Sequence, residues 1–390
     1  MIILDKPFVS ELLQQSLVDN NIPVVMTPDV SEMTLRSDLH YISQEAALDR
    51  IRHNSSELVY SNSENAITWI GRNLGFTDIP KKINLFKDKV SFRELIRPLY
   101  PDYYFRSLEM NEFEGMRETP LDYPLILKPA VGFFSMGVHK IREKEDWLTI
   151  EAKVTEEIDQ LVNLYPVEVF DSTKFILEAC IPGREFAMDA YFDESGEPVI
   201  LNIMEHYFSS EADVSDRLYT SSATIIRTFL NRFQKLLSAI GELAQLRNFP
   251  VHVEVRLTET GEIIPIEVNP MRFGGWCTTA DLAGMAYGFD PYQMYFNQDK
   301  PDWDSILKDR EDRIYNIVIL DNSTGIEGAD IQSFEHDKLL AHFSKVLDFR
   351  PVDYKTYPIF GFLFVETDEG ERDALERVLT SDLREYIVVC

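Results

Sequence analysis

Residues 251–275 are the segment that most constrains what this 390-residue chain can fold into, and they read VHVEVRLTETGEIIPIEVNPMRFGG. The first eight residues alternate as a strand does, ETGE supplies a turn that contains a glycine, and IIPIEVN runs back. This pattern predicts a β-hairpin. A four-residue loop, 259–262, then pairs Thr258 with Ile263 and sets the register of both strands.

This register places two glutamates against each other. Counting back from the loop puts Glu254 opposite Glu267 and His252 opposite Asn269. Residues directly opposite share a face with their Cβ atoms about 5 Å apart, and like charges so placed repel. Two carboxylates and an amide oxygen are hard donors that suit Mg²⁺ shared with the phosphates of a nucleotide. The alternative is an exposed hairpin whose acids simply face water.

The composition excludes several kinds of partner. With 66 acidic and 38 basic residues the formal net charge is −28, which argues against non-specific binding to nucleic acid or to anionic membranes. Cys180, Cys277 and Cys390 form an odd, sparse set without CxxC spacing, which predicts reduced thiols and a cytoplasmic protein. Asp5 and Lys6 interrupt the apolar N-terminal run, so no signal peptide is expected. No apolar stretch approaches 18 residues, so no membrane span is expected.

The length and the order of the predicted elements indicate two to four domains or subdomains. Strands alternate with helices over residues 1–86, which predicts a parallel βαβ sheet acting as a scaffold, without a GxGxxG dinucleotide site. An α+β region follows over residues 87–300. Residues 301–390 begin with a charged boundary segment and predict a small α+β cap. The expected fold class is therefore a multidomain combination of α/β and α+β.

A lysine and a glycine loop follow one apolar strand, in YPLILKPAVGFFSMGV. Lys128 ends the strand, and the loop from Gly132 to Gly137 offers small residues and free backbone N–H groups, which is a phosphate-binding arrangement. Phe133 and Phe134 would close over a nucleotide or simply pack. The alternative is an ordinary strand–turn–strand with a solvent-exposed lysine.

A second candidate nucleotide segment is FILEACIPGREF. A strand ends in Glu178, the backbone groups of Ala179 and Ile181 are placed to face an adenine edge, and Glu185 is placed to accept from ribose hydroxyls. The alternative, surface glutamates on a strand and a turn, is favoured when the segment is taken alone.

Taken together, these motifs resemble the ATP-grasp superfamily of ATP-dependent carboxylate ligases over about residues 88–288. The matching elements are DK before a helix, LKP with a glycine loop, the strand with GRE, and the E…EVNP pair. The nearest members are the L-amino-acid ligases and the carbamoyl-phosphate-synthase-like chains. The resemblance implies a pre-ATP-grasp domain over residues 1–86. It also implies a two-lobed ATP-grasp domain over residues 87–300, with a nucleotide lobe near 115–205 and a metal and acceptor lobe near 206–300.

The resemblance also implies which residues hold the nucleotide. Lys89 and Lys128 would contact the phosphates. Glu178 and the backbone of Ala179 and Ile181 would lie at the adenine, with Glu185 at the ribose. The expected cofactors are ATP and Mg²⁺, or Mn²⁺ in its place.

On the metal and acceptor side, the resemblance implies that Glu254, Glu267 and Asn269 are the metal ligands. Related ligases place an arginine just after the asparagine, where it steadies the acceptor carboxylate or the acyl phosphate. Here Arg272 follows one position later than in many members. His252 shares the strand face of Glu254 and would touch phosphate or be a packed histidine.

Four further residues lie near these motifs in the sequence. His206 would border the acceptor site or be structural, and Arg256 would balance charge near the turn. Trp276 would wall a substrate pocket. Cys277 has no basic partner in the sequence, so it is not expected to be a nucleophile.

The expected activity is an ATP-dependent ligase that forms an amide through an acyl phosphate, with a small carboxylate such as an amino acid and an amine as substrates. Two alternatives stay open at this point: bicarbonate activation of the biotin-carboxylase or carbamoyl-phosphate type, and a non-catalytic nucleotide-binding regulator. No nucleic-acid or membrane partner is expected. Dimers are common for such folds, so a homodimer is the assembly to test.

Overall fold

Strands and helices alternate at the start of the chain, as the sequence predicts. The computed structural model describes residues 1–131, 137–161, 174–210, 215–368, 370 and 372–389. The first elements are β1 (Ile2–Ile3), α1 (Glu11–Asp19), β2 (Val24–Val25), α2 (Pro28–Glu32), β3 (Tyr41–Ile42), α3 (Gln44–His53), β4 (Tyr60–Ser61) and α4 (Ala66–Asn73). The strands form a parallel sheet in the order β3-β2-β1-β4. Three of the helices are N-capped by a hydroxyl side chain. Ser10, Thr27 and Ser43 each accept a hydrogen bond from a backbone N–H of the first turn.

Two helices, α5 (Ile79–Lys87) and α6 (Lys89–Ile96), connect this sheet to the rest of the chain. Asp88 lies between them and caps α6 by accepting the N–H groups of Val90 and Ser91. This cap fixes Lys89 in the first turn of α6, where its own N–H donates to the carbonyl of Ala130 at 2.8 Å.

A small antiparallel sheet follows. Its elements are β5 (Phe105–Glu109), α7 (Phe113–Met116), β6 (Leu125–Pro129), β7 (His139–Ile141), α8 (Trp147–Leu161) and β8 (Lys174–Ala179). The strand order is β5-β8-β6-β7. A separate apolar core that includes Leu108, Phe113, Trp147 and Phe175 holds this sheet together.

The largest sheet has eight strands in the order β13-β12-β9-β10-β11-β14-β17-β16. The remaining elements are β9 (Arg184–Phe192), β10 (Pro198–Tyr207), β11 (Leu218–Ser222), α9 (Ala223–Ala244), β12 (Phe249–Leu257), β13 (Ile263–Pro270), α10 (Thr278–Tyr287), α11 (Pro291–Asn297), α12 (Trp303–Ile306), β14 (Ile314–Asp321), β15 (Ile331–Phe334), α13 (His336–Leu340), β16 (Val346–Pro351), β17 (Ile359–Thr367), α14 (Arg372–Thr380) and β18 (Ile387–Val389). Helix α9 buries Phe229, Phe233 and Leu237 in the core that β9, β10 and β12 share, and this burial holds it on the sheet.

Sheet membership differs from the predicted domain boundaries at two places. Strands β9 and β10 belong to the large sheet, whereas the nucleotide lobe predicted over 115–205 would include them. The two sheets separate near Cys180 instead. Strand β14 also pairs with β11, so hydrogen bonds cross the boundary predicted at residue 300. The mixed α/β and α+β class is confirmed, and the three-domain division stays a prediction. No helix in the described part of the chain is long and apolar enough to cross a membrane.

Candidate active site

The hairpin of β12 and β13 has the predicted register at its centre. Glu254 lies opposite Glu267, and His252 lies opposite Asn269. Both glutamates remain accessible, with side chains 23% and 26% exposed. Two carboxylates therefore share one face of an antiparallel pair at the edge of the large sheet.

The register at the turn differs by one residue from the prediction. Leu257, not Thr258, pairs with Ile263, because β13 contains an irregularity that leaves Ile266 without a partner. A β-bulge of this kind inserts one residue and re-aims the side chains beside it. Ile266 lies between Pro265 and Glu267, and the alternating pattern by itself does not mark it as the extra residue.

The two facing carboxylates differ in their pKa values. Burial and the negative charge of Glu267 raise the pKa of Glu254 to about 7, although the nearby His252 opposes this shift. For Glu267, burial is outweighed by the ammonium groups of Lys89 and Lys128 and by a 3.0 Å hydrogen bond from the Asn269 amide, so its pKa is lowered. Burial and the facing charge thus make Glu254 the harder of the two carboxyl groups to ionise.

Both predicted phosphate lysines lie beside this pair. The Lys89 ammonium is 3.7 Å from a carboxylate oxygen of Glu267. Its pKa is lowered by burial and by the neighbouring Lys128 and Lys87, while Glu267 raises it. The Lys128 ammonium is 2.7 Å from Glu178. Helix α6 and strand β6 thus bring two buried cations to the face of the hairpin that carries the glutamates.

Glu178 is bound on both oxygens by side chains of the protein. Arg93 Nε lies 2.6 Å from one oxygen and Lys128 Nζ 2.7 Å from the other. Burial opposes ionisation, but these two cations lower the pKa of Glu178 to about 2. The carboxylate is therefore a fixed counter-ion for Lys128. The sequence reasoning missed Arg93, whose only signal was a basic residue one turn after Lys89 in an otherwise amphipathic helix.

The segment predicted to face adenine joins the two sheets. The Ala179 N–H donates to the carbonyl of Tyr104 at 3.0 Å, and the Ala179 carbonyl accepts from the Tyr103 hydroxyl at 2.7 Å. The Ile181 carbonyl accepts from Arg256 at 2.9 Å. These bonds hold the backbone extended between β8 of the small sheet and β9 of the large sheet. The adenine role of Ala179 and Ile181 stays a prediction.

Glu185 lies at the start of β9 between two basic side chains. His206 on β10 and Arg256 on β12 are its direct cross-strand neighbours, with nitrogens 3.0 Å and 2.9 Å from its oxygens. Burial is again outweighed by these partners, so the pKa of Glu185 is lowered and that of His206 is raised. Arg256 contacts Oε2 through both Nε and Nη2, whereas His206 contacts Oε1, which keeps a further lone pair that can accept from a ribose hydroxyl. Arg256 is thus a specific partner of Glu185.

His252 is held by an aspartate that the sequence reasoning missed. Asp189 on β9 accepts the His252 Nδ1–H at 2.7 Å, while His252 Nε2 lies 3.6 Å from Glu254. Burial alone would lower the pKa of His252, but the two acids raise it to about 9. Asp189 also accepts the backbone N–H of Gly274 at 2.9 Å. An acid inside the apolar strand FAMDAYF was the available signal.

Arg272 is a buried residue with a partner from the N-terminal sheet. Its Nη2 donates to Glu64 at 2.6 Å, and Lys87 binds the other oxygen of the same carboxylate. Burial opposes ionisation, yet the two cations lower the pKa of Glu64 to about 2. The positive charge of Arg272 also acts on Glu267. Glu64, which lies between β4 and α4, therefore reaches Arg272 beside the candidate site.

Trp276 and Cys277 follow in a loop with left-handed backbone angles, φ 55° and 58°. The Trp276 ring packs near Phe8 of the N-terminal part, and its centroid lies 5.3 Å from that of Phe362 on β17. Burial raises the pKa of the Cys277 thiol to about 11. A raised pKa makes a thiol a poor nucleophile near neutral pH, and the expectation that Cys277 is not a nucleophile stays a prediction.

The donor set of the hairpin fits a hard divalent cation. Glu254, Glu267 and Asn269 offer oxygen ligands, and the two carboxylates face each other across the strand pair, where like charges repel. The described residues contain no group of three or more His, Cys, Asp or Glu side chains arranged for a metal. A cation here would thus rest on two carboxylates and an amide, with its remaining ligands from phosphate or water. The glycine loop, with Gly132, Phe133 and Phe134, lies outside the described residues.

Comparison with known proteins agrees with this geometry. Residues 121–280 match the family model of the ATP-grasp domain. The resemblance to the ATP-grasp superfamily predicted from the sequence is confirmed. No curated protein sequence matches the chain significantly.

Solved structures share the fold over the whole chain. L-amino acid ligase from Bacillus licheniformis has 16% identity and a TM-score of 0.70, covering 100% of this chain and 98% of its own. Biotin carboxylase from Campylobacter jejuni has 12% identity and a TM-score of 0.63, covering 100% and 92%. N5-carboxyaminoimidazole ribonucleotide synthetase from Thermotoga maritima has 16% identity and a TM-score of 0.62, covering 100% and 98%. At these identities the likeness establishes the fold.

Proposed function

We propose that this protein is an ATP-dependent carboxylate–amine ligase that forms an amide bond through an acyl phosphate. The observation that carries the proposal is the facing pair Glu254 and Glu267, flanked by the buried ammonium of Lys89. Opposed carboxylates beside buried cations suit a metal–phosphate complex, which supplies positive charge to the acids and negative charge to the lysines.

In the proposed reaction a substrate carboxylate oxygen attacks the γ-phosphorus of ATP, and the bond to the β,γ-bridging oxygen breaks with release of ADP. An amine then attacks the acyl carbon, loses a proton, and expels inorganic phosphate. Lys89 and Lys128 would neutralise the transferring phosphoryl group, and Arg272 would face the acyl-phosphate oxygens. When bound, Mg²⁺ or Mn²⁺ would supply further neutralisation and align the phosphates.

The other site residues serve positioning in this proposal. The pKa of about 9 keeps His252 cationic near neutral pH, so it can add positive charge next to Glu254. Glu178 fixes the Lys128 ammonium, while the backbone of Ala179 and Ile181 would meet the adenine. Glu185 would accept from the ribose. These roles need no enzyme nucleophile, which suits the protonated thiol of Cys277.

We infer that the substrates are a small carboxylate, such as an amino acid, and a small amine. The solved relatives include both an L-amino acid ligase and biotin carboxylases, so bicarbonate is the competing carboxyl substrate. A purely regulatory nucleotide binder is less well supported, because such a protein has little need for two opposed metal-binding carboxylates.

ADP release in the presence of MgATP tests the proposal. Pools of amino acids are added with and without bicarbonate, and the products are analysed by mass spectrometry for new amides. A pool that stimulates ADP release and yields an amide supports the ligase. Release that depends on bicarbonate alone would replace it with bicarbonate activation. Nucleotide binding without turnover in any pool would replace it with a regulator.

A further inference from the structure

A cavity of about 880 Å³ lies outside the residues assigned to the nucleotide and the metal. Helices α4, α5 and the start of α6 form its walls, and Val131 closes one side. Its size is typical of a site for a small organic molecule. Polar and charged side chains are interleaved with apolar ones on these walls, so the cavity can contact both an ionic group and a carbon skeleton.

The charges lining the cavity are mainly positive. Arg72 and Lys81 are exposed and form no hydrogen bond or ion pair with any residue that the structure describes. Lys87 contributes a third cation and is already bound to Glu64. Asp88 is the one acid, and its oxygens are occupied by Lys174 at 2.9 Å and by the first turn of α6. Two uncompensated cations line one cavity in a chain whose net charge is −28.

The cavity is also connected to the candidate active site. Lys87 lines the cavity and shares the Glu64 carboxylate with Arg272, so one ion pair separates the cavity wall from that arginine. Asp88, on the same wall, directly precedes Lys89. A molecule held here would therefore lie close to the groups proposed to handle the acyl phosphate.

We propose that this cavity binds the anionic group of the amine substrate, which would be a small amine that also carries a phosphate or a carboxylate. Arg72 and Lys81 would bind the anion, and the apolar wall residues would pack against the carbon skeleton. This inference rests on the proposed ligase function, since that function supplies the need for an amine substrate near Arg272.

Two kinds of variant can test the site without disturbing the core. Gly71 lies in α4 and lines the cavity, and a Cβ at this position would meet no atom within 4 Å. Gly71→Leu should therefore keep the helix, because leucine has the higher helix propensity, while filling part of the cavity. The double variant Arg72→Gln/Lys81→Gln removes the two cations. Lys235→Gln/Lys308→Gln is the matched control, since both lysines are exposed and lie away from the cavity.

Direct binding is measured by calorimetry with phenyl phosphate and with benzoate, in the presence of saturating ADP and Mg²⁺ so that the nucleotide site is filled. At least one probe should bind the wild type and the control equally. Affinity should fall roughly tenfold in the cation variant, because each exposed pair contributes at most about a factor of five, and should also fall in Gly71→Leu. Preference between the probes distinguishes a phosphate from a carboxylate.

The inference is overturned if neither probe binds, or if the cation variant binds as well as the control. This measurement needs no turnover, so it can succeed when no ligase activity is found, and ligase activity can exist while the cavity binds nothing. If an active amine substrate is identified, its KM should rise in both cavity variants while the KM for ATP stays unchanged.

Discussion

Glu254 on the large sheet and Glu178 on the small sheet are both enclosed glutamates, yet their surroundings shift the carboxyl pKa in opposite directions. Glu254 faces another carboxylate, and its pKa is raised to about 7. Glu178 lies between Arg93 and Lys128, and its pKa is lowered to about 2. Burial penalises the ionised form in both, so the neighbouring charges decide the difference.

This contrast distinguishes a carboxylate that faces another carboxylate from one that two basic side chains neutralise. The Glu178 cluster is complete within the protein and fixes the position of Lys128. Glu254 and Glu267 lie directly opposite each other, and the cation proposed to bind them would reduce their repulsion. Replacing either glutamate by glutamine should therefore change the free energy of unfolding in opposite directions. Glu178→Gln should lower it, and Glu254→Gln should raise it in the metal-free protein.

The largest effect is expected for Glu267→Gln, which removes one carboxylate of the proposed metal site without changing the shape of the side chain. Turnover should fall by more than about 1000-fold, since a lost metal contact corresponds to several kcal/mol of transition-state stabilisation. ADP release under saturating MgATP measures this, and Glu262→Gln, in the exposed turn of the same hairpin, is the control. A variant that turns over at nearly the wild-type rate would remove Glu267 from the metal site.

The second effect is a loss of stability in Glu178→Gln. Its pKa is lowered on folding, so it contributes stability above about pH 4.5 that is lost as the pH falls towards 2. Removing the charge leaves Arg93 and Lys128 facing each other, and the free energy of unfolding at pH 7 should drop by about 3 kcal/mol. Urea unfolding measures this. An unchanged midpoint at pH 7 would show that the cluster is not a stabilising ion pair.

The third effect has the opposite sign, because Glu254→Gln should stabilise the metal-free protein. A raised folded-state pKa means that wild-type stability falls as the pH rises from about 4.5 through 7. At pH 8 in EDTA the variant should be more stable by about 2 kcal/mol, and at pH 4 the difference should vanish. Added Mg²⁺ should raise the unfolding temperature of the wild type alone. A variant that is less stable than wild type at pH 8 would mean that the contact with His252 outweighs the repulsion.

The sequence alone predicted the facing residues of the β12–β13 hairpin, but few of the side chains from other elements that contact them. Alternation and one glycine turn predicted Glu254 opposite Glu267, and this pairing is correct because the bulge at Ile266 offsets the one-residue difference at the turn. The bulge at Ile266 depends on tertiary packing, so only the structure shows it. The backbone pairing predicts that two residues are opposite, but it does not predict which third strand lies beside them.

The residues that sequence reasoning missed come from distant parts of the chain. Glu64 and Arg272 are separated by 208 positions, and Arg93 and Glu178 by 85. No spacing rule connects such positions, since their contact depends on how the sheets pack against one another. Glu178 was assigned to the adenine by resemblance, and the structure shows the additional ion pairs that its carboxylate makes.

The smallest expected effect concerns Asp189, which holds His252 from the adjacent strand. Asparagine can still accept from His252 Nδ1–H and from the Gly274 N–H, so Asp189→Asn removes the charge and keeps the geometry. The pKa of His252 should fall from about 9 by about 1 to 2 units. Because a raised histidine pKa stabilises most below about pH 6.5 and its contribution is lost as the pH rises through 9, the variant should lose stability mainly at low pH.

Histidine titration followed by NMR measures this shift directly. His206 is an internal control in the same spectra, since its partner Glu185 is unchanged by the substitution and its titration should not move. If His252 keeps its pKa in Asp189→Asn, then Glu254 rather than Asp189 is the acid that charges it, and the substitution should leave metal-dependent turnover untouched. If the pKa of His252 falls and turnover near pH 8 falls with it, the protonated form of His252 is needed for turnover.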